Sequence, residues 1–518
     1  MGRSLTIPPR YNLSVDLLDR HLDAGNAERA AVLSQGRSWS YGEIAALVNR
    51  AGNGLKALGV DREQRVLLVL PDGPELVAAY LGALRIGAVA VPCNSWLGAH
   101  DYAYFLRESR AKVLVTTREL LDKLRAGIAQ APDLRAVVVV GGAEATAEIA
   151  WDPWIAAASS ALSPADTSRD DPAFWLWTSG STGEPKAAVH LHQDWPWCCE
   201  LYAQNVLGMT EADRPFSASK LFHAYGLGNA LVFPFWVGAT TTLLAERPTP
   251  GAVFRTIQTV RPTLFFGVPT LYAAMLAVKG AEQEYDLTCV RCCVSAGEPL
   301  PAELYRRWRA KWGTEILDGI GSTEVLHIYI SARPGCVVPG SSGRPVEGYD
   351  VRVVNDRGEG VPPGEIGDLI VKGPSTATSY WNRATETRQR MRGEWFLSGD
   401  KYTYDEDGNF WYEGRTDDMF KVGGEWISPI ELENTLIEHE AVLECAVVPY
   451  DAGEGLLKPK AFVVLKESYP PAPELVDELQ RFVRARLSSY KYPRLVEFLP
   501  ELPKTAAGKI QRFKLRAL

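Results

Sequence analysis

Several features are scarce or missing in this sequence, and each absence narrows what it can be. Eight cysteines in 518 residues are too few for a disulfide scaffold. Cys289, Cys292 and Cys293 form a CxxCC cluster, but no second half-site of matching spacing exists and Cys198–Cys199 lies far off. Buried thiols in a strand are therefore expected rather than metal ligands. The apolar run around Ala136–Val140 is strand-sized, and none reaches the roughly 18 residues a membrane span needs. Met1–Arg10 holds two prolines and no apolar segment, so a secretory leader is not expected. Gly2 and Thr6 fit the loose myristoylation pattern and are read as coincidence. No basic excess exists: the net charge is −8, which argues against a nucleic-acid partner. There is no internal repeat and no low-complexity tract. A reducing cytoplasm fits these features.

What is present is an alternation of helical and strand patterns. Ser40 and Glu43 form a capping box ahead of an amphipathic stretch that stops at Gly59. Strands are expected near Arg65–Leu70, Ala88–Val91, Lys112–Val115, Ala136–Val140, Phe174–Trp177, Thr263–Phe266 and Val290–Ser295, with a helix over Pro74–Ile86. This rhythm predicts layered α/β sheets with largely buried strands. After about residue 340 the strands shorten (Val351–Val354, Asp368–Val371, Phe410–Tyr412) and turn residues separate them, which predicts a small β-rich subdomain. A further α+β segment follows: helix Pro429–His439, strands Val442–Val448 and Lys460–Leu465, helix Pro473–Leu487. The boundary is expected at Thr416–Asp418, giving domains 1–416 and 417–518. The chain's end is basic, with ten Lys or Arg against two acids from Arg481 to Leu518, a composition suited to meeting phosphates.

The most specific motif is Thr178-Ser179-Gly180-Ser181-Thr182-Gly183-Glu184-Pro185-Lys186. It follows an aromatic strand and precedes another, Ala187–His190. Glycines let backbone N–H groups turn toward an anion, hydroxyls add donors and a lysine adds charge. It lacks the spacing of a Walker A loop.

This string resembles that of the adenylate-forming superfamily, which includes acyl-CoA synthetases, nonribosomal-peptide adenylation domains and beetle luciferases. The one departure is Ala187, where glycine is usual. The resemblance extends in order along nearly the whole chain. It implies that the loop, with Thr178 and Lys186 at its ends, binds the β- and γ-phosphates of ATP. Ala296-Gly297-Glu298-Pro299 is similar to the adenine-side turn. Asp318-Gly319-Ile320-Gly321-Ser322-Thr323-Glu324 is similar to the central motif, where Thr323 meets the α-phosphate and Glu324 holds Mg²⁺. Ile320 stands where an aromatic residue is common. Asp400 matches the carboxylate that accepts both ribose hydroxyls, and Arg415 its partner. Lys509, in Gly508-Lys509-Ile510, matches the lysine that offsets charge during adenylate formation. The resemblance also implies that the small C-terminal domain is mobile and turns about Asp417. Val422-Gly423-Gly424 would then complete a tunnel for the pantetheine of CoA. No enzyme nucleophile is required, and no Gly-x-Ser-x-Gly elbow supplies one.

Three strings, Ala224–Leu231, Gly319–Glu324 and Lys458-Pro459-Lys460, resemble benzoate-CoA ligases and their hydroxy- and aminobenzoate relatives. By that resemblance Ala224, Tyr225, Gly321, His327 and Ile328 surround an aromatic ring, Lys421 meets the carboxylate, and His223 stands beside the pocket in place of the commoner phenylalanine. Small residues with flat or branched apolar walls suit a planar ring. The expectation is an ATP-dependent acid–thiol ligase that makes an aryl-CoA through an acyl-adenylate. Its substrates would be a small carboxylic acid, ATP and CoA, and it would be a monomer or homodimer. The alternative is a free-standing enzyme that loads an aryl group onto a carrier protein. Against amino-acid-activating domains, His223 occupies the position where they keep an aspartate for the amino group.

Overall fold

The computed structural model describes residues 5–143, 147–178, 184–415, 419–422, 425–451, 457–487, 491–504, 510–516 and 518, with the backbone alone at 421, 422, 425 and 426. Two large sheets organise the first four hundred residues. One has eight strands, in the order Ser379–Tyr380, Lys186–Leu191, Pro172–Thr178, Val89–Pro92, Arg65–Val69, Val113–Thr117, Ala136–Val140, Glu148–Ala150. Its strands from Val89 to Ala150 pair in parallel. They read as unbroken apolar runs because helices such as Tyr41–Ala57 and Pro74–Arg85 cover the sheet. The other has nine strands and runs from Arg344–Pro345 through Ile328–Ser331, Ile316–Gly321, Cys292–Ser295, Leu264–Gly267, Pro215–Ser217, Thr241–Leu243 and Ala30–Ser34 to Arg37–Ser40.

The local signals read from the sequence have direct counterparts. Ser40 accepts the Glu43 amide at 3.1 Å and Glu43 accepts the Ser40 amide at 2.8 Å, closing the capping box, a device worth about 1 kcal/mol. The helix ends at Ala57, two residues short of the positive-φ Gly59. Cys292 and Cys293 are buried in their strand, as expected, whereas Cys289 lies in the turn before it. That turn, closed by the Val290 amide on the Leu287 carbonyl, delays the strand by two residues.

The β-rich region is an antiparallel sheet built on Trp395–Tyr404, which pairs with Gly367–Lys372 on one side and Phe410–Arg415 on the other. This ten-residue strand is missing from the sequence reading because Gly399 and a cluster of polar residues interrupt its alternation. The C-terminal segment pairs Val442–Asp451, Leu457–Leu465 and Leu495–Phe498 beneath helices Pro429–Ile437 and Pro473–Arg484. Its apolar clusters draw only on residues from Phe420 onward, and the largest N-terminal cluster ends at Tyr412. No helix among the described residues is long and apolar enough to cross a membrane.

Candidate active site

The phosphate-loop string is a hairpin connection. Strands Pro172–Thr178 and Lys186–Leu191 are antiparallel and Thr178 faces Lys186; Ser179, Gly180, Ser181, Thr182 and Gly183 lie outside the described residues. The Lys186 ammonium sits 3.8 Å from the centre of the Tyr380 ring, and the Tyr380 hydroxyl donates to Glu324 Oε1 at 2.6 Å. Burial draws the Lys186 pKa down and the Glu324 charge opposes that. Arg390 and Arg415 share the same electrostatic neighbourhood. Lys186, Arg390 and Arg415 thus share an electrostatic neighbourhood with the buried Glu324 carboxylate, a charge balance suited to a polyphosphate. No cluster of three metal-ligating side chains occurs among the described residues. One carboxylate at this position fits Mg²⁺, which takes most of its shell from substrate phosphates and water.

The central motif forms the turn of a second hairpin. Ile316–Gly321 and Ile328–Ser331 are antiparallel, with a bulge at Ile320/Gly321. A Cβ at Gly321 would come within 2.6 Å of the His327 carbonyl oxygen, so only glycine closes this turn. Three successive carbonyls are pinned from outside. His190 Nε2 donates to that of Thr323 at 2.7 Å, the Ala377 amide to that of Glu324 at 2.7 Å, and Ser375 Oγ to that of Val325 at 2.7 Å. Leu326 is held at φ +77° although fully buried, a strain of about 1–3 kcal/mol that the surrounding packing sustains. Glu324 is buried and Thr323 half-buried.

Asp400 and Arg415 face each other across neighbouring strands and form an ion pair at 2.8 Å. Burial works against the Arg415 charge, but the Asp400 carboxylate outweighs it and raises the guanidinium pKa. In the turn expected to border the adenine, Ala296 is buried and the turn to Pro299 opens at Gly297, whose φ of +94° favours glycine. Asp318 stands in register with Ser295, and burial pushes its pKa up to about 8. Gly319 pairs with Ser331 and Ile320 packs on the main core. The Ile510 amide donates to Glu298 at 3.3 Å, bringing the basic end of the chain against this turn. Lys509 itself lies outside the described residues, as do Asp417, Gly423 and Gly424; of Lys421 only the backbone is described, in strand Phe420–Val422.

The ring-binding candidates converge at the far end of the central turn. His327 is buried among Tyr202, Tyr225 and Phe233, with ring centres at 5.1, 5.7 and 4.6 Å, and burial lowers its pKa to about 3, so the imidazole is neutral. Tyr225 donates to the Val294 carbonyl at 3.0 Å, which ties the short helix Ala224–Leu227 to the end of a central strand. Ile328 is buried beside Gly319. His223 precedes that helix and packs on Phe222 at 4.6 Å.

A family profile described as AMP-binding enzyme matches residues 19–381, and one described as AMP-binding enzyme C-terminal domain matches residues 431–509. The chain belongs to the AMP-binding enzymes. Among relatives of this family, a benzoate–CoA ligase of Thauera aromatica is 47% identical over 99% of this chain and 97% of its own. A 4-hydroxybenzoate–CoA/benzoate–CoA ligase of Rhodopseudomonas palustris is 44% identical over 98% of this chain and 94% of its own. The solved structure of the anthranilate CoA ligase AuaEII in complex with anthranoyl-AMP superposes with a TM-score of 0.95 at 42% identity, covering 99% of this chain and 98% of that one. A benzoate CoA ligase from Burkholderia xenovorans LB400 superposes at 0.91 and 45%, covering 98% of this chain and all of the other. As an AMP-binding enzyme of the acyl-CoA synthetase type, the chain has the mixed α/β architecture read from its sequence.

Sequence reasoning missed Tyr380, His190 and Asp194. Tyr380 sits in a two-residue strand with no motif around it. His190 and Asp194 are four residues apart just beyond the phosphate-loop string, within His190-Leu191-His192-Gln193-Asp194, a polar stretch that does not mark either one as the partner of a distant peptide.

Proposed function

We propose that the protein is an ATP-dependent aryl-CoA ligase converting benzoate or a substituted benzoate, with CoA, to aryl-CoA, AMP and pyrophosphate through an acyl-adenylate. The observation that carries this reading is the turn from Ser322 to His327. One end presents Glu324 beside Tyr380 and Lys186; the other end buries His327 among the rings of Tyr202, Tyr225 and Phe233. Phosphoryl chemistry and an aromatic enclosure are therefore a few residues apart.

In the first half-reaction a carboxylate oxygen of the acid attacks the α-phosphorus and pyrophosphate leaves. Lys186 and the loop from Thr178 to Gly183 hold the leaving phosphates, Thr323 donates to the α-phosphate, and Lys509 bridges the attacking oxygen and the phosphate. Glu324 would hold Mg²⁺, which offsets phosphate charge when bound. Asp400 accepts the ribose hydroxyls, with Arg415 fixing its carboxylate, and residues 296–299 with Asp318 and Ile320 border the adenine. Ala224, Tyr225, Gly321, His327 and Ile328 enclose the ring, Lys421 meets its carboxylate, and His223 stands at the entrance. In the second half-reaction domain 417–518 turns about Asp417. Gly423 and Gly424 then line the thiol path, the CoA sulfur attacks the acyl carbon, and AMP leaves. The enzyme acts in the cytoplasm as a monomer or homodimer.

Release of AMP by purified protein with ATP and Mg²⁺ tests this, across benzoate, hydroxybenzoates, aminobenzoates, cyclohexanecarboxylate and short fatty acids, with and without CoA. AMP formation that requires both an aryl acid and CoA is expected. Acid-dependent pyrophosphate exchange without CoA-dependent turnover would indicate a carrier-loading enzyme instead.

A further inference from the structure

We propose that His190 and Asp194 are positioning residues that aim the Thr323–Glu324 peptide at the reacting phosphate. This inference rests on the adenylation chemistry proposed above. His190 is fully buried and Asp194 nearly so. His190 Nε2 lies 2.7 Å from the Thr323 carbonyl oxygen. A carbonyl only accepts, so this nitrogen carries a proton. His190 Nδ1 lies 2.9 Å from Asp194 Oδ2, and the same oxygen accepts the Leu191 amide at 3.0 Å. The ring is further fixed by stacking on Phe174, with centres 5.2 Å apart and planes 12° apart.

The placement along the strand gives this bond its consequence. Lys186, Ala188 and His190 lie on one face of strand Lys186–Leu191 because strand side chains alternate. Lys186 stands over Tyr380, which holds the Glu324 side chain. His190, four residues on, holds the main chain one residue earlier, at Thr323. One strand face thus fixes both the carboxylate and the peptide of the central turn relative to the strand that begins at the phosphate loop. Rotation of the Thr323 carbonyl would turn the Glu324 amide with it and move the Thr323 hydroxyl. Displacements of this kind cost rate rather than binding, because the donor matters most where charge develops.

Two substitutions separate the roles of the two nitrogens. In His190→Gln the side-chain amide reaches the position of Nε2 and still donates to Thr323. In His190→Asn it replaces Nδ1 and leaves the Thr323 carbonyl without its donor. Acid-dependent pyrophosphate exchange, thioester formation from supplied acyl-adenylate, and hydrogen–deuterium exchange of the peptide spanning 320–328 are measured for both and for wild type. His190→Asn is expected to lower kcat for exchange about 30-fold, the order of one buried hydrogen bond lost from the Thr323 carbonyl. KM for the acid and the thioester step should stay within about twofold, and the 320–328 peptide should exchange faster. His190→Gln is expected to recover most of the rate and the protection. Equal behaviour of the two variants, or equal loss in both half-reactions, would overturn the assignment. The isotope-exchange arm requires no substrate: absent acid-dependent activity in wild type would sink the proposed function, whereas unchanged protection of 320–328 in His190→Asn would sink the clamp.

Discussion

Glu324 and Ile510 both belong to segments that the proposed mechanism brings to the nucleotide, but they are held in opposite ways. Around Glu324 three consecutive carbonyls accept bonds from two separate segments, one at His190 and one at Ser375–Ala377, the carboxylate accepts a buried hydroxyl, and a strained Leu326 is sustained by packing. Ile510 belongs to a segment whose apolar clusters are its own. It meets the larger part through bonds of the kind between its amide and Glu298, or the fully exposed Lys279–Glu467 pair at 3.9 Å, which salt screens and which holds little. Groups that must hold one geometry while charge develops benefit from the first kind of support. A group needed in one half-reaction only must be able to leave, and the second kind permits that at small cost.

The largest expected effect separates the two regions directly. Lys509→Ala should slow adenylation by about two to three orders of magnitude, the cost of removing a donor to developing charge. Thioester formation from supplied acyl-adenylate should be nearly untouched. Equal losses in both steps would erase the distinction between the regions.

Asp400→Asn probes the rigid side. The variant removes the charge that holds Arg415 at 2.8 Å and that is proposed to accept the ribose hydroxyls. KM for ATP should rise about 10- to 100-fold, in keeping with about 1.5–3 kcal/mol for a charge-assisted bond. Because AMP stays bound across both steps, thioester formation should fall as well. A defect confined to adenylation would place Asp400 with Lys509, among the groups needed in one half-reaction only.

Ala224→Phe should act more weakly and again in both steps. Ala224 is buried at the start of its helix, and a phenyl group there competes with the substrate ring. A loss of about tenfold in kcat/KM for benzoate is expected, from about 1–3 kcal/mol of overpacking, with relative gain for short aliphatic acids. Unchanged discrimination between benzoate and acetate would remove Ala224 from the pocket wall.

The same contrast explains what the sequence disclosed. Contiguous strings were legible: Thr178–Lys186 and Asp318–Glu324 are each continuous in the chain beside an antiparallel strand pair, where local chemistry writes itself into adjacent residues. The capping box and the apolar parallel strands were equally local. Tyr380 and His190 were not legible as site residues. Their partners, Glu324 and Thr323, stand 56 and 133 positions away in the chain, and nothing local marks a residue whose role is to hold a distant peptide. Strand Trp395–Tyr404 was overlooked because Ser398, Gly399 and Asp400 break the apolar alternation, the kind of local conflict expected where a strand carries binding groups.

The last effect is on stability rather than on rate and concerns the cost of keeping the rigid side buried. Burial raises the Asp318 carboxyl from its ordinary 3.8 to about 8, with the Leu300 amide donating to it at 3.4 Å. The folded chain therefore keeps a proton that the unfolded chain releases at much lower pH. The stabilisation linked to that proton is complete below about pH 4 and is lost as pH rises to about 8. Asp318→Asn has no such proton to lose. Unfolding midpoints in denaturant, measured from pH 5 to 8.5 on both proteins, should show the variant gaining steadily on wild type as pH rises, with the gap levelling off near the top of the range. Parallel profiles would mean that Asp318 is ionised in the fold across this range, and that the adenine side of the site is wetter than its burial implies.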